Sequence, residues 1–483
     1  MTEGCTMEVS RLHCYPLEDQ PLKNANRNRR LQESIERLRR GFVQSGREKL
    51  FNVLPARDLA RAVEEEVEVW RHRLYSPLVT LRLFVEQVLH ADHACQDVVV
   101  RYASERAAQG EAQVSLSTGP YCNARLRLPL RLVERVGMGV GKRLESASTA
   151  AWRWRGRAVK IVDGTTLTMP DTPDNQACYP QHGGQKSGLG FPIARLVALV
   201  SLGCGAVLDW AVGPCKGKQT GEDALFRQLY GSLVKGDIVL ADRYHCSYFT
   251  IAALQLMGVD VLTRQHARRV TDFRRGKRLG KRDHLVVWER PARPSWMAQE
   301  EYACMPEELV LREARVAQWV LVSTMLDPQQ VSKEELNALY VQRWHIELDL
   351  RAIKTVMGME TLRCKSALMV QKEVGAYFLA YNLIRAAMAQ AAACAKLLPR
   401  QLSFCGAKRM VNSFIDLLRG RTTRGLTRMF AYLRGAIALL LLPHRPNRVE
   451  PRAVKRRPKP HRLLTEPRHV ARAKLRHARP CFA

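Results

Sequence analysis

The sequence predicts an α/β protein with a mixed central sheet, flanked by helical regions at both ends of the chain. Before about residue 150 the hydrophobic spacing is helical, and helices are expected to open at Pro55 and at Ser76-Pro77, because proline is well tolerated at a helix start. The segment Ala158–Met169 is instead rich in β-branched residues and predicts a strand. Further strands follow it, and strands then alternate with helices, an order that favours a mixed sheet. Helix dominates again from Ser332 onward.

Changes in this periodicity divide the chain into five segments. A strongly basic stretch from Arg264 to Arg282 precedes a set of predicted strands that looks like a β subdomain inserted into the α/β unit. The last residues are rich in Pro, Arg, Lys and His, so we expect them to be disordered when free. The segments are a helical region at 1–150, the first part of the α/β unit at 151–265, the inserted β subdomain at 266–330, the second part of the unit with a helical region at 331–442, and the basic tail at 443–483.

The charge of the chain indicates a polyanionic partner, either a nucleic acid or an anionic membrane surface. Lys and Arg number 77 against 46 Asp and Glu, which gives a formal net charge of +31. The basic residues are spread over several segments, and this spread favours a long partner such as DNA. A ribosome-associated or merely basic protein is the alternative. The short N-terminal helices suit a helix-turn-helix-like DNA-binding unit, but they suit any helical bundle equally well.

The sequence argues against export and against a membrane span. No basic segment followed by an apolar run stands at the N-terminus. The most apolar stretch, Gly375–Leu398, carries Asn382, Arg385 and Gln390, so we expect a buried helix and no membrane partner. The 13 cysteines form no Cys-x-x-Cys pair, which favours reduced thiols in a cytoplasmic protein over a zinc site.

Two acidic residues are associated with predicted strands. Asp163 lies late in the first strand and is followed by Gly-Thr, and Asp242 closes the apolar strand Ile238–Ala241. Carboxylates on rigid elements are the hard oxygen ligands that divalent cations need in metal-assisted phosphoryl transfer. The alternatives are a turn at Asp163-Gly164 and a helix cap at Asp242.

A third acidic residue lies in a predicted helix between Tyr340 and Lys354. At 100° per residue, Tyr340, Arg343, Glu347 and Lys354 fall within an arc of roughly 60°. One face of the helix therefore presents an acid between two bases. A solvated face of ion pairs is the alternative. Apolar residues elsewhere on the helix make it partly buried, namely Trp344, Ile346, Leu350 and Ile353.

These three motifs together resemble a known family. The spacing Tyr-x2-Arg-x3-Glu-x6-Lys, at Tyr340, Arg343, Glu347 and Lys354, is similar to the signature of bacterial insertion-sequence transposases of the IS-four type. The segments Ile161-Val-Asp163-Gly-Thr and Ile238-Val-Leu-Ala-Asp242-Arg-Tyr resemble the first and second acidic motifs of that family. Order and spacing agree, including a long β insertion before the glutamate. The resemblance covers about residues 158–395.

The resemblance implies an RNase H-like catalytic fold with Asp163 and Asp242 on neighbouring central strands. It implies metal-dependent nicking at the ends of an insertion sequence, followed by strand transfer through the freed 3′-hydroxyl. Two Mg²⁺ ions, or Mn²⁺ in their place, would bind to Asp163, Asp242 and Glu347. The implied partners are the double-stranded DNA of the terminal inverted repeats and of the target, with a homodimer in the synaptic complex at the bacterial nucleoid. The DNA contacts would come from Tyr340, Arg343, Lys354 and Arg243.

One more residue fits the resemblance. Trp319 lies 28 residues before Glu347 on a predicted strand. A tryptophan at this spacing in a relative stacks on a base flipped out of the duplex, on the way to a hairpin at the DNA end. The alternative is an aromatic residue packed in the core of the inserted subdomain. Two other functions stay open at this point: a metal-dependent nuclease or resolvase without strand transfer, and a catalytically decayed protein that only binds DNA ends.

Overall fold

The N-terminal region is helical, in agreement with the sequence. The computed structural model describes residues 56–67, 74–417, 423–443 and 463–478, so the first 55 residues of the predicted helical region lie outside the described residues. Ser76 caps the second helix, where its hydroxyl accepts a hydrogen bond from the Val79 N–H at 3.4 Å. The helices are α1 (Ala56–Glu66), α2 (Pro77–Leu89), α3 (Cys95–Ala108), α4 (Gly119–Arg127) and α5 (Leu130–Ser146).

A nine-stranded mixed sheet forms the centre of the described structure. Its spatial order is β3-β2-β1-β4-β5-β9-β8-β7-β6. β1 is antiparallel to β2 and parallel to β4, and β4 is parallel to β5. This arrangement of the first five strands is RNase H-like, as the resemblance implied. The strands are β1 (Val159–Thr168), β2 (Ile193–Ser201), β3 (Val207–Pro214), β4 (Ile238–Ala241), β5 (Asp260–Arg264), β6 (Lys277–Gly280), β7 (Asp283–Glu289), β8 (Glu308–Val316) and β9 (Trp319–Ser323).

The inserted strands continue this sheet. The last of them, β9, pairs antiparallel with β5, with Leu262 opposite Ser323. The strands expected between residues 266 and 330 are therefore present, and they extend the edge of the α/β unit. A buried ion pair stabilises the insertion, because the Arg312 guanidinium donates to both oxygens of Asp283 at 2.9 and 2.6 Å.

The two faces of the sheet are covered by different helices. Successive side chains of a strand point to opposite faces, so Ile161 and Val162 belong to two separate buried clusters. The Ile161 cluster includes the C-terminal helices, and the Val162 cluster includes two short helices that flank β4 in sequence. The short helices of the α/β unit and insertion are α6 (Pro173–Cys178), α7 (Glu222–Arg227), α8 (Tyr248–Leu256) and α9 (Gln299–Ala303).

The C-terminal region is dominated by one long buried helix. The remaining helices are α10 (Lys333–Val341), α11 (His345–Arg351), α12 (Ala367–Ala395), α13 (Phe404–Leu417), α14 (Thr423–Ala438) and α15 (Arg468–Ala478). The buried helix expected at the apolar stretch is confirmed as part of α12, where fully buried Asn382 bonds to both backbone polar groups of Val207 at 2.8 Å. Within the described ranges, no helix is long and apolar enough to cross a membrane.

The expectation of a disordered tail is wrong for residues 468–478. Helix α15 forms there, because Arg, Ala, Lys and Leu favour helix and no Pro or Gly interrupts the segment. The residues just before the helix make two contacts: Glu466 pairs with Lys474 of the helix at 2.6 Å, and the Pro467 ring lies against Gly188. The tail segment 444–462 lies outside the described residues.

Candidate active site

The two aspartates meet at the point where β1 and β4 run side by side. The parallel register pairs Ile161 with Leu240, and two further residues along both strands place Asp163 opposite Asp242. Asp163 lies within the continuous strand β1, so the turn considered at this position is not formed. Its Oδ1 accepts a hydrogen bond from the Gly164 N–H at 2.8 Å.

Asp242 directly follows β4 and does cap a short helical turn. Its Oδ1 accepts a hydrogen bond from the Tyr244 N–H at 2.8 Å, at the start of the 3-10 turn Arg243–His245. The cap uses one carboxylate oxygen and fixes the direction of the side chain, which suits a ligand role as well as a capping role. Arg243 is exposed on this turn.

The third acid lies on an irregular helical run. Helix α10 is followed by a 3-10 turn at Gln342–Trp344, then by α11 and a π-helical segment at Ala352–Val356. The expected regular spacing of 100° per residue therefore does not hold across the whole motif. Such π segments are frequent at functional sites. The side chains of Arg343 and Lys354 nevertheless both reach β1.

Arg343 joins two of the three predicted acids. One guanidinium nitrogen donates to Asp163 Oδ2 at 3.3 Å, and the other donates to Glu347 Oε1 at 3.0 Å. Lys354 Nζ donates to the Thr165 hydroxyl at 3.1 Å, two residues further along β1. Residues that are about 180 positions apart in the sequence therefore converge at one end of the sheet.

Tyr340 and Trp319 form an aromatic pair beside these groups. Their ring centroids are 6.3 Å apart and nearly perpendicular. Tyr340 is buried, whereas Trp319 is half-buried and packs against the main core. The Arg264 guanidinium lies 5.1 Å from the centre of the Trp319 ring. Trp319 thus lies at the start of β9, next to Tyr340 of α10 and Arg264 of β5.

The electrostatics of the acids favour a bound cation. Burial, with a smaller contribution from the nearby carboxylates of Asp242 and Glu222, raises the pKa of Asp163 to about 6, although the Gly164 hydrogen bond and the charge of Arg343 act to lower it. In the part of the chain that the structure describes, no three His, Cys, Asp or Glu side chains already stand in metal-binding geometry. The Arg343 guanidinium lies between Asp163 and Glu347, where it supplies the positive charge. The donor set, carboxylate oxygens alone, suits a hard divalent cation.

Sequence reasoning missed a group of polar residues next to the aspartates. Glu222 lies against Gly164 so closely that a Cβ on that glycine would be 2.6 Å from the Glu222 carboxyl carbon. Its neighbour Asp223 interacts with the buried His245 imidazole, and the Asp223 Oδ1 to His245 Nδ1 distance is 2.7 Å. Burial disfavours the imidazolium, but Asp223, Asp242 and Glu222 together raise the pKa of His245. In the sequence, Glu222 and Asp223 are ordinary acids at a helix start, and no local signal distinguishes them.

A second missed residue fixes the helix that carries Glu347. Asp349 is fully buried and accepts hydrogen bonds from Arg385, from Arg400 at 2.7 Å and from the Tyr381 hydroxyl at 3.0 Å. These partners come from α12 and from the turn that follows it. The network holds α11 in place on its buried side, while Glu347 extends from the other side. A charged residue among Ile346, Leu350 and Ile353 was the signal that could have found it.

Comparison with known proteins decides the family. A family model described as "Transposase DDE domain" matches residues 154–383. The transposase InsG of insertion sequence element IS4, from Escherichia coli (strain K12), is 30% identical over 343 residues, which cover 67% of this chain and 75% of that protein. The chain belongs to the IS4-type DDE transposases. It is therefore an enzyme that cleaves DNA and transfers strands, and not a nuclease without a joining step.

A solved structure also matches this transposase. The cryo-EM structure of a piggyBac transposase synaptic complex with hairpin DNA gives a TM-score of 0.39 at 11% identity, over 78% of this chain and 88% of that chain. Enzymes of the DDE family use divalent metal ions.

Proposed function

We propose that Asp163, Asp242 and Glu347 are the ligands of two divalent metal ions, Mg²⁺ or Mn²⁺. The observation that carries the proposal is the Arg343 bridge between Asp163 and Glu347, together with the register that sets Asp163 opposite Asp242. Asp163 and Asp242 lie opposite each other on neighbouring strands, and Arg343 links Asp163 to Glu347 on the helical run. When bound, such ions activate the attacking oxygen and stabilise the leaving oxygen of the phosphodiester.

The basic residues of the motif would bind the DNA backbone. The Arg343 guanidinium donates to two carboxylates, and a scissile phosphate beside them would offer it a further anionic acceptor. Lys354 holds its charge beside Thr165 on the same strand. We assign Arg343 and Lys354, with Tyr340 and Arg243, to phosphates near the cut, where positive charge offsets the charge of the transition state.

The DNA substrates and the assembly that binds them are a further part of the proposal. We propose that the DNA substrates are the terminal inverted repeats of the chain's own element and a target duplex, bound by a homodimer at the nucleoid. The net charge of +31 supports binding to long DNA. The helical region at 1–150 and the basic tail at 443–483 are the segments that we assign to this binding.

The ligand assignment is tested by isosteric replacements. Asp163→Asn, Asp242→Asn and Glu347→Gln should each abolish Mg²⁺-dependent cleavage of labelled element ends while end binding stays largely intact. Each should also weaken Mn²⁺ binding to the free protein, measured by electron paramagnetic resonance. Glu334→Gln, on the exposed side of α10, is the control and should cleave normally. Cleavage at the normal rate by any of the three variants would remove that residue from the ligand set.

A further inference from the structure

An open cavity of about 630 Å³ lies beside Asp242, on the side of the sheet covered by α7 and α8. We call it the Tyr244 cleft. Its lining combines aromatic rings with cationic side chains: Tyr244, Phe249, His266, Arg268 and Arg269. Tyr244 closes the second acidic motif, and Arg268 and Arg269 belong to the basic stretch that follows β5.

Two of the aromatic rings that line the Tyr244 cleft differ in their surroundings: one is exposed and the other packs against further rings. The Tyr244 side chain is 63% exposed, although its backbone is fixed by the hydrogen bond to Asp242. The Phe249 ring is held from behind by Trp296 and Tyr302, with centroids 6.2 and 6.1 Å away. An exposed ring on a fixed backbone can receive a flat, unstacked base at little conformational cost.

The lining of the Tyr244 cleft also carries positive charge. Arg268 and Arg269 are both exposed, and the Arg269 guanidinium stacks 3.5 Å from the centre of the Trp288 ring. The lining includes one acid, Asp223, which is engaged with His245. Rings for bases next to guanidinium groups for phosphates form the combination that binds single-stranded nucleic acid.

The Tyr244 cleft is close to the proposed chemistry but separate from Trp319. Tyr244 follows Asp242 by two residues, a span of at most about 7 Å. Trp319 packs with Tyr340 in the cluster on the other face of the sheet. A DNA strand that passes the acids therefore has one aromatic residue available on each side.

We propose that the Tyr244 cleft binds an unpaired nucleotide of the DNA strand next to the scissile phosphate, with its base on Tyr244 and its phosphate on Arg268 and Arg269. The location beside the scissile phosphate rests on the metal role proposed for Asp242. The base-binding role rests on the cleft alone. An end whose flanking nucleotides are unpaired should therefore bind more tightly than a fully paired end.

The experiment uses the full-length transposase and element ends whose flanking nucleotides are either paired or unpaired, without added metal. Tyr244→Ala should weaken binding of the unpaired end about tenfold, because the base loses the ring on which it stacks, and should leave the paired end unchanged. Tyr244→Phe keeps the ring and should bind like the original protein. Arg268→Ala with Arg269→Ala should weaken binding and lower the salt dependence, by about 0.7 in the log-log slope for each lost contact to a single strand.

The position of the base is found with 2-aminopurine, whose fluorescence falls on stacking. We expect Tyr244-dependent quenching at a single nucleotide beside the cleaved phosphate. Quenching at a distant nucleotide would support base binding by the cleft. It would contradict the location of the cleft beside the scissile phosphate, and with it the metal role proposed for Asp242. If Tyr244→Ala weakens paired and unpaired ends equally, or if only the arginine variants have an effect, the cleft contacts the duplex backbone and the proposal is wrong.

Discussion

Arg343 donates one hydrogen bond to Asp163, at 3.3 Å, and one to Glu347, at 3.0 Å. The guanidinium thus lies between a strand acid and a helix acid. Without the guanidinium, two neighbouring negative charges would remain in a partly buried place. Under the proposed ligand assignment, Arg343 would compete with cations for the same carboxylate oxygens.

Replacing Arg343 should affect metal binding and catalysis in opposite directions. Arg343→Ala should bind Mn²⁺ about tenfold more tightly in the absence of DNA, because charge-assisted hydrogen bonds of about 1.5–3 kcal/mol no longer compete. End cleavage should fall, because the phosphate loses its guanidinium partner. Isothermal titration and a cleavage assay measure the two effects. Arg351→Ala is the control, since it removes the same charge from the exposed side of α11 and should change neither Mn²⁺ affinity nor cleavage. Unchanged Mn²⁺ affinity in Arg343→Ala would show that Arg343 does not compete with the cation.

The raised pKa of Asp163 makes metal binding depend on pH. Only the ionised carboxylate binds a cation, so Mn²⁺ affinity should fall as pH drops below about 6. The same shift affects stability without metal: a folded-state pKa near 6, above the ordinary 3.8, adds stability that is complete below about 3.8 and is lost as pH rises through about 6. Asp163→Asn should remove this pH dependence. Titrations at pH 5 and pH 7 that give equal Mn²⁺ affinity would contradict the expectation.

Local sequence patterns predicted the strands and the helix that carry the candidate site residues. β-branched and apolar runs located β1 and β4, and the spacing from Tyr340 to Lys354 located the third acid. The proximity of Glu222 to Gly164 could not be predicted, because it depends on packing between α7 and β1, some 58 residues apart in sequence. The pairing of β9 with β5 has the same origin: nothing in either strand says which edge it will join.

Gly164 should accept a side chain only if the Glu222 side chain moves away. The Cβ of Gly164→Ala would be 2.6 Å from the Glu222 carboxyl carbon, so we expect a loss of about 1–3 kcal/mol in the free energy of unfolding. Adding Glu222→Ala should restore most of this loss, which a double-mutant cycle in urea measures. Gly221→Ala is the matched control, since no atom lies within 4 Å of its Cβ. Additive effects of the two changes would show that the contact is not made.

Asp349 should contribute to stability more than an exposed acid does. Asp349→Ala leaves Arg385 and Arg400 buried without their carboxylate, and breaking a buried pair in this way costs about 3–5 kcal/mol. Glu360→Ala, at an exposed position, should change the free energy of unfolding little. Because the network holds α11, the surviving folded fraction should cleave slowly while binding DNA ends normally. Normal cleavage by that fraction would separate Asp349 from the positioning of Glu347.

The Trp319→Ala variant distinguishes two roles for this ring, base binding and core packing. Its ring is half-buried between Tyr340 and Arg264, so part of one surface can receive a base. Stacking is worth about 1–3 kcal/mol per base, so Trp319→Ala should slow hairpin formation by roughly one to two orders of magnitude. The first nick needs no flipped base and should be spared. Single-turnover assays on labelled ends resolve the two steps.

An abasic nucleotide at the flipped position should partly restore Trp319→Ala, because no base then needs to be held outside the stack. Trp154→Ala is the control, since Trp154 is also half-buried against the same core cluster but lies before β1. Core packing predicts a different outcome for Trp319, namely a lower melting temperature with nicking and hairpin formation reduced together and no effect of the abasic site. The ratio of the two rates, compared between Trp319→Ala and Trp154→Ala at equal loss of stability, therefore decides whether this ring binds DNA.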